Sequence, residues 1–167
     1  MFEEKTKIGD SFKMSGIKKA EEGLKICGKV RLIGSNYNKD GVLEQVFDFE
    51  VPNLITYAGF DAICAQIGST TQPDGFHWMA IGDGEVQDIN DTLLTHELAR
   101  VASTYAHTPG ELTFTETGVF TSVTAATNYG CFNVVTANTA TMLNTAGFAA
   151  ITIDSLTIVA TFTLSTV

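Results

Sequence analysis

The segment LTIVATFTLS, residues 156–165, decides the class of fold, because apolar side chains occupy every second position in it. These positions are Leu156, Ile158, Ala160, Phe162 and Leu164. A period of two puts such side chains on one face of a β-strand and the intervening residues, mostly threonines, on the other. The segment therefore predicts a strand with one face in a hydrophobic core.

Other segments of the chain carry the same signal. Residues 24–32 alternate in the same way, and the polar run 35–41 closes on Asp40-Gly41, which is typical of a hairpin loop. The returning strand is expected over 42–51, with Pro52 ending it. Further strands are predicted at 77–81, 100–106, 112–117, 131–135 and 149–153. In the first of these, Trp78 and Met79 should point to opposite faces.

One helix is predicted, over Thr56–Ile67. Phe60, Ile63, Cys64 and Ile67 have helical spacing, Thr56 is a suitable N-cap, and Gly68 supplies a stop. A further helical turn is expected within 92–98.

Together these elements predict a mainly β protein, an antiparallel β-sandwich of roughly seven or eight strands with one short α-helix over an edge or end of the sheets. The 167 residues suit one domain, expected over 24–167. Residues 1–23 are polar and broken by glycines, which predicts an extended N-terminal arm. No stretch has the roughly 18 apolar residues of a membrane span, and no signal-peptide pattern occurs, so we expect a soluble, unexported protein.

Charge divides the chain near Lys39. Residues 1–39 carry nine basic and five acidic residues, whereas residues 40–167 carry fourteen acidic residues against Arg100 alone. This asymmetry predicts a basic arm that docks on an acidic protein surface and a body that repels one, although an ordinary solvated leader is the alternative. We expect neither nucleic acid nor membrane as a partner.

The predicted docking residues combine apolar anchors and cations. They are Phe2, Ile8, Phe12, Met14, Ile17, Lys18, Lys19, Lys25, Lys29 and Arg31. In addition, threonine recurs on the predicted outer face of the later strands, and no lysine or arginine follows Arg100. Such a face can enter a protein–protein contact without burying unpaired charges, or it can be an ordinary exposed sheet.

The sequence carries little that predicts chemistry. Asp83, Glu85 and Asp88 are weak candidates for binding calcium, but their spacing does not fit an EF-hand, and turn formation is the simpler interpretation. The three histidines lie in separate segments, and no nucleophile elbow, phosphate-binding loop or dinucleotide fingerprint is present. The sequence therefore predicts no enzyme and no cofactor.

Two further groups of residues are given structural interpretations. Glu97 and Arg100 are expected to form an ion pair that orients the preceding loop, alone or in a network with Asp91. The three cysteines, Cys27, Cys64 and Cys131, have no close pair, and we expect them to be small core residues in a reducing compartment.

A set of short motifs over residues 24–167 resembles small structural proteins of tailed bacteriophages, described as head decoration, tail-fibre or minor virion proteins. They include Asn53-Leu54-Ile55-Thr56 with Gly59, Met79-Ala80-Ile81-Gly82-Asp83-Gly84, Asp91-Thr92-x-Leu94-x-x-Glu97-x-x-Arg100, Glu116-x-Gly118-Val119-Phe120 and Asp154-Ser155-Leu156-Thr157-Ile158-Val159. Asp83 and Glu85 depart from the pattern, which usually has small polar residues there. The resemblance implies a virion role without enzymatic activity.

From the resemblance and the charge pattern we expect a capsid decoration or cement protein, assembled in the host cytoplasm. Its partners would be the major capsid protein or neighbouring virion subunits, and it would form a homo-oligomer, for which a trimer is one arrangement. A short tail, collar or fibre-attachment component is the alternative within the same class. An adhesion module that binds calcium or carbohydrate through residues 83–91 and Trp78 is the alternative from another class.

Overall fold

A computed structural model describes residues 24–69, 74–85 and 88–166 of the chain. Within these residues the protein is mainly β, with antiparallel pairing throughout and one α-helix, which confirms the predicted fold class. The arm predicted over 1–23 lies outside the described residues, and so do its candidate docking residues up to Lys19. No helix in the described ranges is both long enough and apolar enough to cross a membrane.

Seven strands and two helical segments make up the described chain. The strands are β1 (Leu24–Tyr37), β2 (Leu43–Ile55), β3 (Trp78–Gly82), β4 (Glu97–Ala102), β5 (Thr104–His107), β6 (Thr113–Phe132) and β7 (Met142–Thr166). The helix α1 (Tyr57–Gly68) follows β2, and a short 3-10 helix (Ala137–Thr139) lies between β6 and β7.

The long hairpin of β6 and β7 is bent in the middle and contributes to two layers of sheet. Pairing is regular from Thr113↔Thr163 to Thr121↔Ser155, then shifts register between Val123 and Asn128. Ser122 and Ala125 both have φ of 54° at this bend, and the Ala125 N–H donates to Thr152 Oγ1 over 3.0 Å. Bulges of this kind bend a strand and increase its twist.

On one side of the bend, the strands lie side by side in the order β2, β1, β7, β6 and β5. On the other side, β7, β6, β3 and β4 follow one another. We call these the first and second sheets. The end of β2 pairs with the start of β7 at Leu54↔Thr145, and β4 leads into β5 through Ser103, so both connect the layers. The result is a sandwich-like arrangement.

The main hydrophobic core draws on both sheets. It includes Val30 and Leu32 of β1, Met79 and Ile81 of β3, and alternate residues of β6 and β7. In residues 156–162, the four predicted inward positions are all fully buried, at Leu156, Ile158, Ala160 and Phe162. The alternation from which the fold was predicted is therefore confirmed.

A second, smaller core lies on another face of the second sheet. It consists of Ala80, Leu94, Phe132, Ala140 and Met142, with Trp78 and Val134 packed against it. Met79 belongs to the main core and Trp78 to this one, which confirms that the two side chains point to opposite faces.

Helix α1 is fastened to β7 at its first turn. Thr56 Oγ1 accepts a hydrogen bond from the Gly59 N–H over 3.0 Å and donates one to the Met142 carbonyl over 2.5 Å. A Cβ atom on Gly59 would lie 2.2 Å from the Leu143 carbonyl oxygen, so glycine permits this close approach. The predicted helix and its Thr56 cap are both confirmed.

Several predicted boundaries are wrong. Pro52 lies inside β2 because that strand is an edge at this position in the described chain, where a missing N–H costs no ladder bond. The predicted strand 112–117 lies in β6 except for its first residue, because the bend does not end that strand. Of the predicted strand 131–135, only Cys131 and Phe132 are in β6, which ends there. The helical turn expected within 92–98 is absent, and β4 begins at Glu97.

Two cysteines also differ from expectation. Cys27 and Cys64 are exposed, and Cys131 alone is buried. Cys27 is exposed because its side chain points to the outer face of β1, whereas Val30 and Leu32 point to the inner face.

Candidate interaction surface

Over β5, β6 and β7, the outer face of the first sheet is a neutral surface, which we call the threonine face. Thr104 lies opposite Thr117, Thr115 opposite Thr161, and Thr113 opposite Thr163, so the side chains of β5, β6 and β7 line up across the sheet. Its members over these three strands are Thr104, Ala106, Thr113, Thr115, Thr117, Val119, Thr121, Ser155, Thr157, Val159, Thr161 and Thr163. None of them is charged.

Charged side chains flank the threonine face on β1 and β2, and they pair with each other. Lys29 Nζ lies 2.7 Å from Glu50 Oε1, and Arg31 makes two hydrogen bonds to Asp48, of 2.7 and 2.5 Å. The hydrogen bonds from Arg31 lower the pKa of the Asp48 carboxyl. Two cations that the sequence marked for docking are thus already paired within the chain, whereas Lys25 is exposed on the same strand.

The positive excess of the first 39 residues comes from this region rather than from the leading segment. Residues 1–23 contain five lysines and five acidic residues, so they have no net charge. The remaining cations before residue 40 are Lys25, Lys29, Arg31 and Lys39. The description of residues 1–23 as a basic arm is therefore wrong, although their apolar anchors remain candidates for docking.

The edge of the first sheet along β2 exposes apolar side chains. Val46 is 59% exposed, Leu43 is 45% exposed and Phe49 is 38% exposed. Over 43–53 this strand pairs only with β1 in the part of the chain that the structure describes. An unpaired edge with apolar side chains offers both backbone hydrogen bonds and apolar area to another chain.

In the described part of the acidic loop, Asp88 and Asp91 are used in local hydrogen bonds. Asp91 Oδ2 accepts from the Asp88 N–H and Asp88 Oδ1 accepts from the Asn90 N–H, each over 2.7 Å. Asp83 pairs with His96 Nδ1. Across the described ranges, no three ligand-type side chains are grouped so that they could hold a metal ion. The turn interpretation therefore accounts for Asp88 and Asp91.

Two side chains of β6, which the sequence did not reveal, hold the start of this loop. Asn128 Nδ2 donates to the carbonyls of Gly84 and Glu85 over 3.2 and 3.0 Å, and Thr127 Oγ1 donates to Gly84 over 3.0 Å. Asn128 is fully buried. A buried asparagine in β6 thus fixes the loop that the motif Met79–Gly84 leads into.

Glu97 and Arg100 form an ion pair, but on a strand rather than on a helical turn. Ile81 pairs with Ala99 and Gly82 with Glu97, so Leu98 is an extra residue that brings Glu97 and Arg100 to one face. Arg100 donates to both oxygens of Glu97, over 2.9 and 2.7 Å. The side chain of Glu97 is only 18% exposed, and that of Arg100 is only 6% exposed.

Arg100 also closes the second core. Its guanidinium carbon lies 3.9 Å from the centroid of the Phe132 ring, and Nη1 donates to the Val134 carbonyl over 2.7 Å. Arg100 therefore orients the segment after β6, whereas Asp91, which was predicted to share its network, bonds to Asp88 instead.

Comparisons with family models, curated proteins and solved structures found no match for this chain. The resemblance to phage structural proteins therefore rests on the sequence motifs and stays a prediction.

Proposed function

We propose that this chain is a structural subunit of a tailed-bacteriophage virion and acts as a capsid decoration protein. The observation that carries the proposal is the threonine face, a neutral surface across three neighbouring strands. In a protein whose net charge is −9, a face without charges is a place where a second protein can bind without burying unpaired ions.

The surroundings of this face support the same role. The paired ions of β1 and β2 lie beside it and can form a polar rim, because exposed ion pairs stay partly hydrated. The apolar edge of β2 and the anchors of residues 1–23 extend the area available to shell or neighbouring subunits. Specific interfaces commonly combine an apolar or neutral centre with such a rim.

The test is binding of the purified full chain to capsids that lack it, followed by quantification of the chain in complete particles. A copy number that follows the number of shell subunits supports decoration. A copy number that follows the symmetry of the tail supports the tail or collar alternative instead. Failure to bind any part of a particle would contradict the virion role altogether.

The contribution of residues 1–23 is tested separately. A chain without them should still show the far-ultraviolet spectrum of a β protein but should lose capsid binding. Undiminished binding by the shortened chain would remove these residues from the proposal and leave the threonine face as the docking surface.

A further inference from the structure

A cavity of about 450 Å³ lies between α1 and the inner face of the first sheet. Its walls are mainly apolar and come from five elements. They include Ile26, Ile63, Tyr105, Phe114, Leu143 and Phe162. Cavities that bind small organic molecules range from about 300 to 1,000 Å³ and combine apolar walls with a few polar groups, so this one has a suitable size.

One carboxyl group belongs to the cavity wall. Glu116 of β6 is 3% exposed, and its Oε2 accepts a hydrogen bond from Ser103 Oγ over 2.5 Å. Its Oε1 lies 3.9 Å from Nδ1 of His77, which exceeds hydrogen-bonding distance. Burial raises the pKa of this carboxyl, while Ser103 and His77 oppose the rise. The cavity wall thus contains a carboxyl group whose Oε2 accepts a hydrogen bond from Ser103, and its other oxygen, Oε1, is the candidate contact for a ligand.

We propose that this cavity binds a small hydrophobic amine, with its hydrocarbon part between α1 and the first sheet and its ammonium group at Glu116 Oε1. This ligand site does not depend on the proposed role in a virion. The walls remove the apolar part from water, and the ammonium donates a hydrogen bond to Oε1, whereas the Ser103 bond within the described residues goes to Oε2.

Charge selects the amine over other amphiphiles of the same size. Among the described residues the lining contains His77 but no lysine or arginine, so a carboxylate ligand would meet Glu116 without a lysine or arginine to offset the repulsion. A neutral alcohol could fill the apolar part of the cavity, but its hydroxyl would donate only an uncharged hydrogen bond to Oε1. The fourteen acidic residues after Lys39 also favour the approach of a cation.

The experiment titrates the full chain with octylamine, octanol and octanoate, using calorimetry and the shifts of backbone amide signals in NMR spectra. Octylamine should bind more tightly than octanol, and octanoate most weakly, with shifts at Tyr105, Phe114 and Ile63. Glu116→Gln keeps the size of the side chain and its bond with Ser103, and it should weaken octylamine binding roughly tenfold or more. The same substitution should change the affinity for octanol by no more than about twofold relative to the unmodified chain.

Two more variants complete the test. Glu111→Gln removes an exposed acid outside the lining, and it should leave octylamine binding unchanged. Ile63→Phe places a larger side chain in the cavity and should weaken octylamine and octanol alike. Equal affinity of octylamine for the unmodified chain and Glu116→Gln would overturn the proposal. Equal binding of octanoate and octylamine, or shifts that avoid the cavity, would overturn it as well.

Discussion

Arg100 illustrates how much a single buried ion can matter in this fold. It combines a two-pronged bond to Glu97, a ring contact with Phe132 and a bond to the Val134 carbonyl, while almost no part of it is exposed. Removing it leaves Glu97 without its partner in a poorly solvated position. Such losses cost several times more than those of surface ion pairs.

We therefore expect Arg100→Ala to lower the free energy of unfolding by about 3 kcal/mol or more. Lys29→Ala breaks the exposed bond to Glu50 and should change it by no more than about 0.5 kcal/mol. Urea unfolding followed by tryptophan fluorescence measures both, because Trp78 packs beside the second core. Equal losses in the two variants would contradict the role assigned to Arg100.

Glu116 predicts a dependence of stability on pH. Because burial raises its pKa in the folded state, the folded protein holds this proton more tightly than the unfolded chain does. The resulting stabilisation is complete below the unfolded pKa, near 4.5, and is lost as pH rises through the folded pKa.

Glu116→Gln cannot ionise, so the stability of the unmodified protein relative to this variant should fall as pH rises from 4 to 8. Urea unfolding of both proteins at a series of pH values gives the difference. A difference that stays constant, or that grows with pH, would show that burial does not control this carboxyl.

At the scale of elements, the sequence predicted what depends on local pattern. The alternation in residues 24–32 and 156–165 and the cap at Thr56 led to correct elements because burial on one face and a capping side chain are local properties. Ends that depend on neighbouring strands were not predictable. Pro52 stays within β2 only because that strand is an edge there, and no local pattern reveals an edge.

The candidate site shows the same division. The neutral threonine face could be expected from composition and period. The pairing of Arg31 with Asp48 could not, because it depends on the register between β1 and β2. Glu116 carries a sequence signal of its own, since it shares the phase of Phe114 and Phe120 along β6, which places an acid on the inward face.

The bend within the paired strands β6 and β7 supplies a prediction for an element. Ala125 has a φ of 54°, a conformation that costs an L-residue about 1–2 kcal/mol but is open to glycine. We expect Ala125→Gly to stabilise the protein by about 0.5 kcal/mol, after allowance for the greater freedom of glycine in the unfolded chain.

The neighbouring residue is a matched control for this change. Ala126 is fully buried and has no positive φ, so Ala126→Gly should destabilise the protein by about 1 kcal/mol. Thermal unfolding should move the two melting temperatures in opposite directions. A loss of stability in both variants would argue against strain at Ala125.

At the scale of the whole molecule, the threonine face can be tested with one charge. Thr115 lies between Ala106 and Thr161 with no ion opposite it, so Thr115→Glu should stop binding to capsids while changing the melting temperature little. Thr136→Glu adds the same charge in an exposed loop position, away from this face, and should bind normally. Normal binding by Thr115→Glu would exclude the face as the contact.

The pairing of β1 with β7 has a consequence for biosynthesis. Leu24 pairs with Thr166 and Ser35 with Ser155, so on the side away from β2 the strand β1 finds its neighbour only after residues 155–166 have been translated. The inner side chains of β1, including Val30 and Leu32, are therefore not fully buried until residues 155–166 have been translated. A ribosome that stalls before residue 155 would leave β1 unpaired on this side, a target for quality-control proteases.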